Sequence, residues 1–161
     1  MLFGMPTLIE LDNLPSCADM CRQLRLSFVE LNMNLPDFQP HMLRPDRLKS
    51  LAETYGIGYT IHMDENLNPF DFNPEVAQAY RTTLLRTIDL ALETDIPVIN
   101  LHVCPGVYFT LPGQRVYLYE KYKETYLTNV RELRRLCEEA IGPSRLLLCL
   151  ENTNWTAAPC L

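Results

Sequence analysis

Short apolar runs alternate along this chain with longer stretches in which apolar residues recur every three or four positions. The first run, residues 2–11, reads as a strand passing into a loop at Pro6 and Thr7. A helix is expected over 16–24, with Ser16 as a plausible N-cap. The stretch 26–32 is dense in β-formers and closes on the turn-forming segment 34–36, so it reads as a second strand. Pro45 suits the first turn of a helix that runs through Leu48, Leu51 and Ala52 and stops at Gly56. Strand three is 57–62. After a polar loop, Asn73-Pro74-Glu75 supplies an N-cap, a first-turn proline and an acidic first turn. Val76, Tyr80, Leu84, Ile88 and Ala91 then follow at helical spacing.

Strand four is 97–103, and a loop carrying Pro105, Gly106, Pro112 and Gly113 comes next. A long helix repeats apolar residues at Tyr119, Tyr122, Tyr126, Val130, Leu133 and Cys137 and ends at Gly142-Pro143. The run 145–150 is strand five. Strands alternating with helices indicate βαβ units on a parallel sheet. Their near-continuous apolar character predicts burial of both sheet faces. No linker, repeat or low-complexity segment divides residues 1–161, which read as one domain or part of one.

Composition narrows the function. The 161 residues are 47% hydrophobic and 21% charged, with a net charge of −6 and a pI near 5.0. No Lys/Arg cluster stands out, which argues against a protein held to nucleic acid by phosphate neutralisation and leans towards small-molecule chemistry. No apolar run reaches the roughly 18 residues of a membrane span, and the first residues carry no basic region or apolar core of a secretory signal. A cytoplasmic location is therefore expected. The six cysteines include no Cys-x-x-Cys pair, and read as free thiols.

The polar residues fall in a telling place. Strand two ends in Glu30 and Asn32, strand three in His62 with Asp64 beyond it, strand four in His102, strand five in Glu151 and Asn152. Ligands bind beyond the carboxyl ends of the strands in parallel α/β folds, and catalytic residues gather there in barrels. Imidazole and carboxylate groups suit zinc, manganese and related divalent metals. A lone strand-end histidine is more often a structural residue than a ligand. Two of them, with Glu151 at the next strand end, favour a site. Glu30 reads equally as a barrel-mouth residue or a site residue, and Asp64 and Glu65 as solvated loop charges. His41, in a polar loop between prolines, is expected to be exposed. Trp155 is a candidate pocket wall.

The segments Phe3-Gly4-Met5-Pro6-Thr7, Phe28-Val29-Glu30-Leu31-Asn32, Thr60-Ile61-His62-Met63-Asp64, Asn100-Leu101-His102 and Leu150-Glu151-Asn152-Thr153 together resemble the xylose isomerase-like TIM barrel superfamily. That group includes sugar phosphate isomerases and epimerases and the endonuclease IV-type AP endonucleases. The resemblance implies an α/β chain that forms the N-terminal part of a (β/α)₈ barrel, with about five parallel strands and four helices. A whole barrel needs about 250 residues, so the chain is expected to be a fragment whose open strand edges call for a covering partner. It further implies a divalent metal (zinc, manganese, magnesium or cobalt) held by Glu151, with His62 and His102 as ligands in the endonuclease branch. Glu30, Asn32, Asp64 and Asn152 are the expected substrate-binding residues. The expected activity is isomerisation or epimerisation of a sugar or sugar phosphate, with Glu151 moving a proton through an enediolate. Cleavage of abasic DNA and a catalytically incomplete half-barrel are the alternatives.

Overall fold

A computed structural model describes residues 1–104 and 106–151; Asn152, Trp155 and Cys160 lie outside them. Five parallel strands form one sheet: β1 (Gly4–Pro6), β2 (Phe28–Asn32), β3 (Gly58–His62), β4 (Val98–His102) and β7 (Leu147–Glu151). Their spatial order follows the chain, β1-β2-β3-β4-β7. Sequential order with right-handed crossovers puts every connecting helix on one side of the sheet, as in a barrel, with no switch point. The incomplete barrel expected from the sequence is present.

Four helices of ten or more residues connect these strands: α1 (Leu14–Gln23), α2 (Pro45–Tyr55), α3 (Pro74–Glu93) and α5 (Lys123–Ile141), with a single-turn α4 (Leu118–Lys121) before the last. Their ends follow local chemistry. The Asn73 side chain caps α3 by accepting from the Glu75 N–H at 3.1 Å, with Pro74 in the first turn. Gly56 ends α2 in the left-handed region, at φ 66°, where a residue with a Cβ is strained.

Four expectations need correction. β1 is only three residues long, because Thr7 leaves the ladder to bridge strand ends: its N–H donates to Glu30 O at 2.9 Å and its Oγ1 accepts from Asn32 N at 3.0 Å. Helix α1 begins two residues before Ser16, and the cap is Asn13, whose Oδ1 accepts from the Ser16 N–H at 3.0 Å. The connection after β4 holds an antiparallel hairpin of β5 (Tyr108–Leu111) and β6 (Gln114–Tyr117), turned by Pro112 and Gly113 at φ 83°. The long helix after it is broken at Tyr122.

The sheet faces also differ from expectation. Val29, Leu31, Tyr59, Ile61, Ile99 and Leu101 are buried against the helices, in one core with Leu48, Leu84, Ile88, Ala91 and Leu133. The alternate positions of β2, β3 and β4 are only half-buried or, at Gly58, exposed. These strands therefore alternate with a period of two: one face is apolar and sealed, the other largely polar and open.

Candidate metal centre

The open face carries the site. Hydrogen-bonded register places Asn32 of β2 beside His62 of β3, His62 beside Asn100 of β4, and His102 of β4 beside Glu151 of β7. Side chains two residues apart on one strand share a face. Strand register alone thus brings Glu30, Asn32, Thr60, His62, Asn100, His102 and Glu151 to one surface.

Within that surface His62, His102 and Glu151 converge, with one ligand atom from each lying within 4.8 Å of the other two. The two imidazoles meet edge to face with centroids 4.7 Å apart. His62 Nδ1 lies 2.9 Å from Met63 O. A carbonyl only accepts, so that nitrogen carries a proton, and in the neutral ring the lone pair falls on Nε2. His102 Nε2 stands 3.3 Å from Glu151 Oε2, with the His102 side chain 15% exposed and that of Glu151 46%.

Glu151 Oε2 also accepts from Asn100 Nδ2 at 2.7 Å. That bond, followed by the two neighbouring imidazoles, holds the Glu151 carboxyl below its ordinary range against the opposing effect of desolvation. It is an ionised oxygen donor at neutral pH.

These residues fit a divalent ion. Two donors bound about 2.1 Å from one tetrahedral ion sit roughly 3.4 Å apart, close to the His102–Glu151 separation of 3.3 Å. The widest spacing in the trio, up to 4.8 Å, needs a small side-chain adjustment for one ion to touch all three. Two imidazoles and one carboxylate form a ligand set that leaves coordination positions open for a substrate. The expected second contact of a ligating histidine, an N–H to a carbonyl, is already in place at His62.

The other expected site residues are distributed differently. Glu30 is half-buried on the same face, paired in register with Thr60 and set back from the trio. Asn32 stands beside His62, but its Oδ1 accepts from Asn34 N and Asn34 Nδ2, both at 2.9 Å. Asp64 Oδ1 accepts from Asn66 N at 2.7 Å and shapes the turn after β3. Asn152 lies outside the described residues. His41 is exposed and apart from the trio, as expected. The five cysteines described are all free thiols, and Cys104 Sγ faces the carbonyls of Glu65 and Leu67 at 3.6 and 3.7 Å. Burial pushes its thiol pKa up, with help from the Asp64 charge.

Two residues of the polar face were not singled out from the sequence. Asn100 grips Glu151, and Thr60 Oγ1 is buried with no hydrogen-bond partner among the described residues. Both lie two positions before a site histidine, the spacing that identifies a shared strand face. The loop after His62 is held firmly. Arg81 of α3, 7% exposed, donates from Nε to Pro69 O at 3.2 Å and pairs through Nη1 with Glu132 at 2.9 Å. Asn68 Nδ2 donates to the Tyr119 hydroxyl at 2.7 Å. No helix among the described residues is long and apolar enough to cross a membrane.

Comparison with known proteins extends this picture. A solved D-tagatose 3-epimerase-like protein superposes with a TM-score of 0.72 at 21% identity, covering 97% of this chain and 55% of that one. The 3-keto-D-glucoside 4-epimerase of E. coli gives 0.74 at 14% identity, with 93% and 55% covered. D-Psicose 3-epimerase of Clostridium cellulolyticum H10, solved with D-tagatose, gives 0.62 at 14%, with 93% and 52% covered. The chain thus spans about half the length of these structures, and at such identities the likeness is one of fold. A search of curated proteins gives no significant match. The profile of one family matches residues 18–160, nearly the whole chain. With its sequential parallel sheet and strand-end polar face, this chain belongs to the xylose isomerase-like TIM barrel family.

Proposed function

We propose that His62, His102 and Glu151 hold a divalent metal and that the protein serves isomerisation or epimerisation of a sugar or sugar phosphate by proton transfer beside the carbonyl. The observation that carries this reading is the convergence of the three side chains from the ends of three different strands. The sugars bound in solved structures of similar fold, D-tagatose in one epimerase and D-allulose in another, support a small sugar as the substrate class. A bound ion would supply Lewis acidity toward the carbonyl and hydroxyl oxygens of the sugar.

The chain's own residues divide the remaining work. His62 and His102 would supply imidazole nitrogens to a cation, His102 exchanging its present contact with Glu151 Oε2 for the ion, and two imidazoles favour zinc, manganese or cobalt over magnesium. Glu151, ionised at neutral pH, offers an anionic oxygen to the ion and a proton acceptor to the sugar carbon. Glu30, half-buried on the same face, offers hydrogen-bond acceptors to sugar hydroxyls. Asn32, Asp64 and Asn152 complete the proposed substrate-binding set, the first two in part through the turns they shape.

A second reading, cleavage of abasic DNA, draws on the pair of histidines in the trio, since the endonuclease branch uses that ligand pair. One set of assays separates the two. Protein loaded with Mn²⁺ or Co²⁺ is incubated in D₂O with D-tagatose, D-psicose or D-fructose, and proton signals beside the carbonyl are followed by NMR. The sugar reading predicts deuterium exchange that disappears in Glu151→Gln. Metal binding without exchange contradicts it, and nicking of abasic duplex under those conditions transfers the assignment to the second reading.

A further inference from the structure

The geometry points to Asn100 as a positioning residue that fixes the Glu151 carboxylate for the incoming ion, an inference that rests on the metal reading above. Asn100 lies on β4 two residues before His102, and its register neighbours are His62 on β3 and Cys149 on β7. It stands between the strand that supplies one histidine and the strand that supplies the carboxylate. Its Nδ2 donates to Glu151 Oε2 at 2.7 Å, and that same oxygen faces His102 Nε2 at 3.3 Å.

The need for such a contact follows from the state of Glu151. Its side chain is 46% exposed, and a half-exposed glutamate has several rotamers to choose from. Of the two side chains that meet this oxygen among the described residues, Asn100 makes the shorter contact, 2.7 Å against 3.3 Å from His102 Nε2. An amide N–H₂ neither ionises nor competes for the metal, so it donates steadily whether or not an ion is bound. With one oxygen gripped beside His102, the carboxylate meets the ion already oriented.

The test is a divalent-metal titration of the whole chain by calorimetry, repeated with Co²⁺ and read from its visible absorption. Asn100→Leu keeps the size of the side chain and removes the donor; Asn100→Gln keeps the amide. Loss of an outer contact to a metal ligand weakens binding roughly 10- to 100-fold, which is the change expected for Asn100→Leu, with the melting temperature of the metal-free protein unchanged. Asn100→Gln should recover part of that loss. Equal affinities for Asn100→Leu and wild type overturn the inference while leaving the metal site standing. Failure of the wild type to bind any divalent ion removes the metal reading itself. Should Asn100→Leu not fold, the side-chain amide signals of Asn100 in the wild type decide. They should shift clearly in Glu151→Ala, and unmoved signals overturn the assignment.

Discussion

The two faces of the central sheet are built from the same five-residue strands yet obey different rules. On the face toward the helices, Leu31, Ile61, Ile99 and Leu101 are fully buried, and what each contributes is volume and apolar area. On the other face Asn32, His62, Asn100 and His102 occupy the alternate positions of the same strands and remain half-buried. There the side chains contribute donors, acceptors and charge. The backbone ladder is common to both, so register fixes the two faces together. A strand slipped by one residue would bury the histidines and expose the core. The rigidity of the apolar face is what gives the polar face a defined geometry.

That contrast can be probed by substitution. The largest effect is expected for Ile99→Ala, which empties a fully buried site between His62's strand and β7 and should cost about 2–5 kcal/mol, read as a lowered denaturant midpoint. A loss much below 1 kcal/mol would mean that the apolar face is not the stabilising one. Next comes Gly4→Ala. A Cβ built there would lie 2.3–2.5 Å from the Phe28 ring, so overpacking of about 1–3 kcal/mol is expected; an unchanged melting temperature would show that the ring has room to move. The smallest effect on stability belongs to His62→Ala. This half-buried position on the polar face should lose no more than about 1 kcal/mol. Metal affinity should nonetheless fall by more than tenfold, because one of three donors is gone. A variant that unfolds instead would assign His62 a structural role.

Much of this division was legible in the sequence. Val29-Glu30-Leu31-Asn32 and Ile99-Asn100-Leu101-His102 alternate in polarity with period two. Element type, order and the strand-end positions of His62, His102 and Glu151 followed from pattern and turn chemistry. The same alternation contradicts the reading of these strands as buried on both faces, which gave weight to the apolar run and too little to its interruptions. It also marks Asn100 as a partner of His102, although an asparagine inside a strand carries no metal-ligand signal of its own. The hairpin at 108–117 was hidden by Pro112-Gly113, a turn signal flanked by strands of only four residues each. Asn32 and Asp64 are strand-end polar residues like the histidines, but their short side chains reach nearby backbone N–H groups and shape turns. Sequence position alone does not separate those two uses.

The measurement that bears most directly on the central claim is a calorimetric titration of the chain with Zn²⁺, Mn²⁺ and Co²⁺ at two pH values, set beside Glu151→Gln and His102→Ala. The wild type should bind one ion, more weakly at the lower pH because imidazole and carboxylate must both be deprotonated to ligate, and binding should be weakened severalfold or lost in either variant. Absence of binding, or binding that both variants retain unchanged, would contradict it.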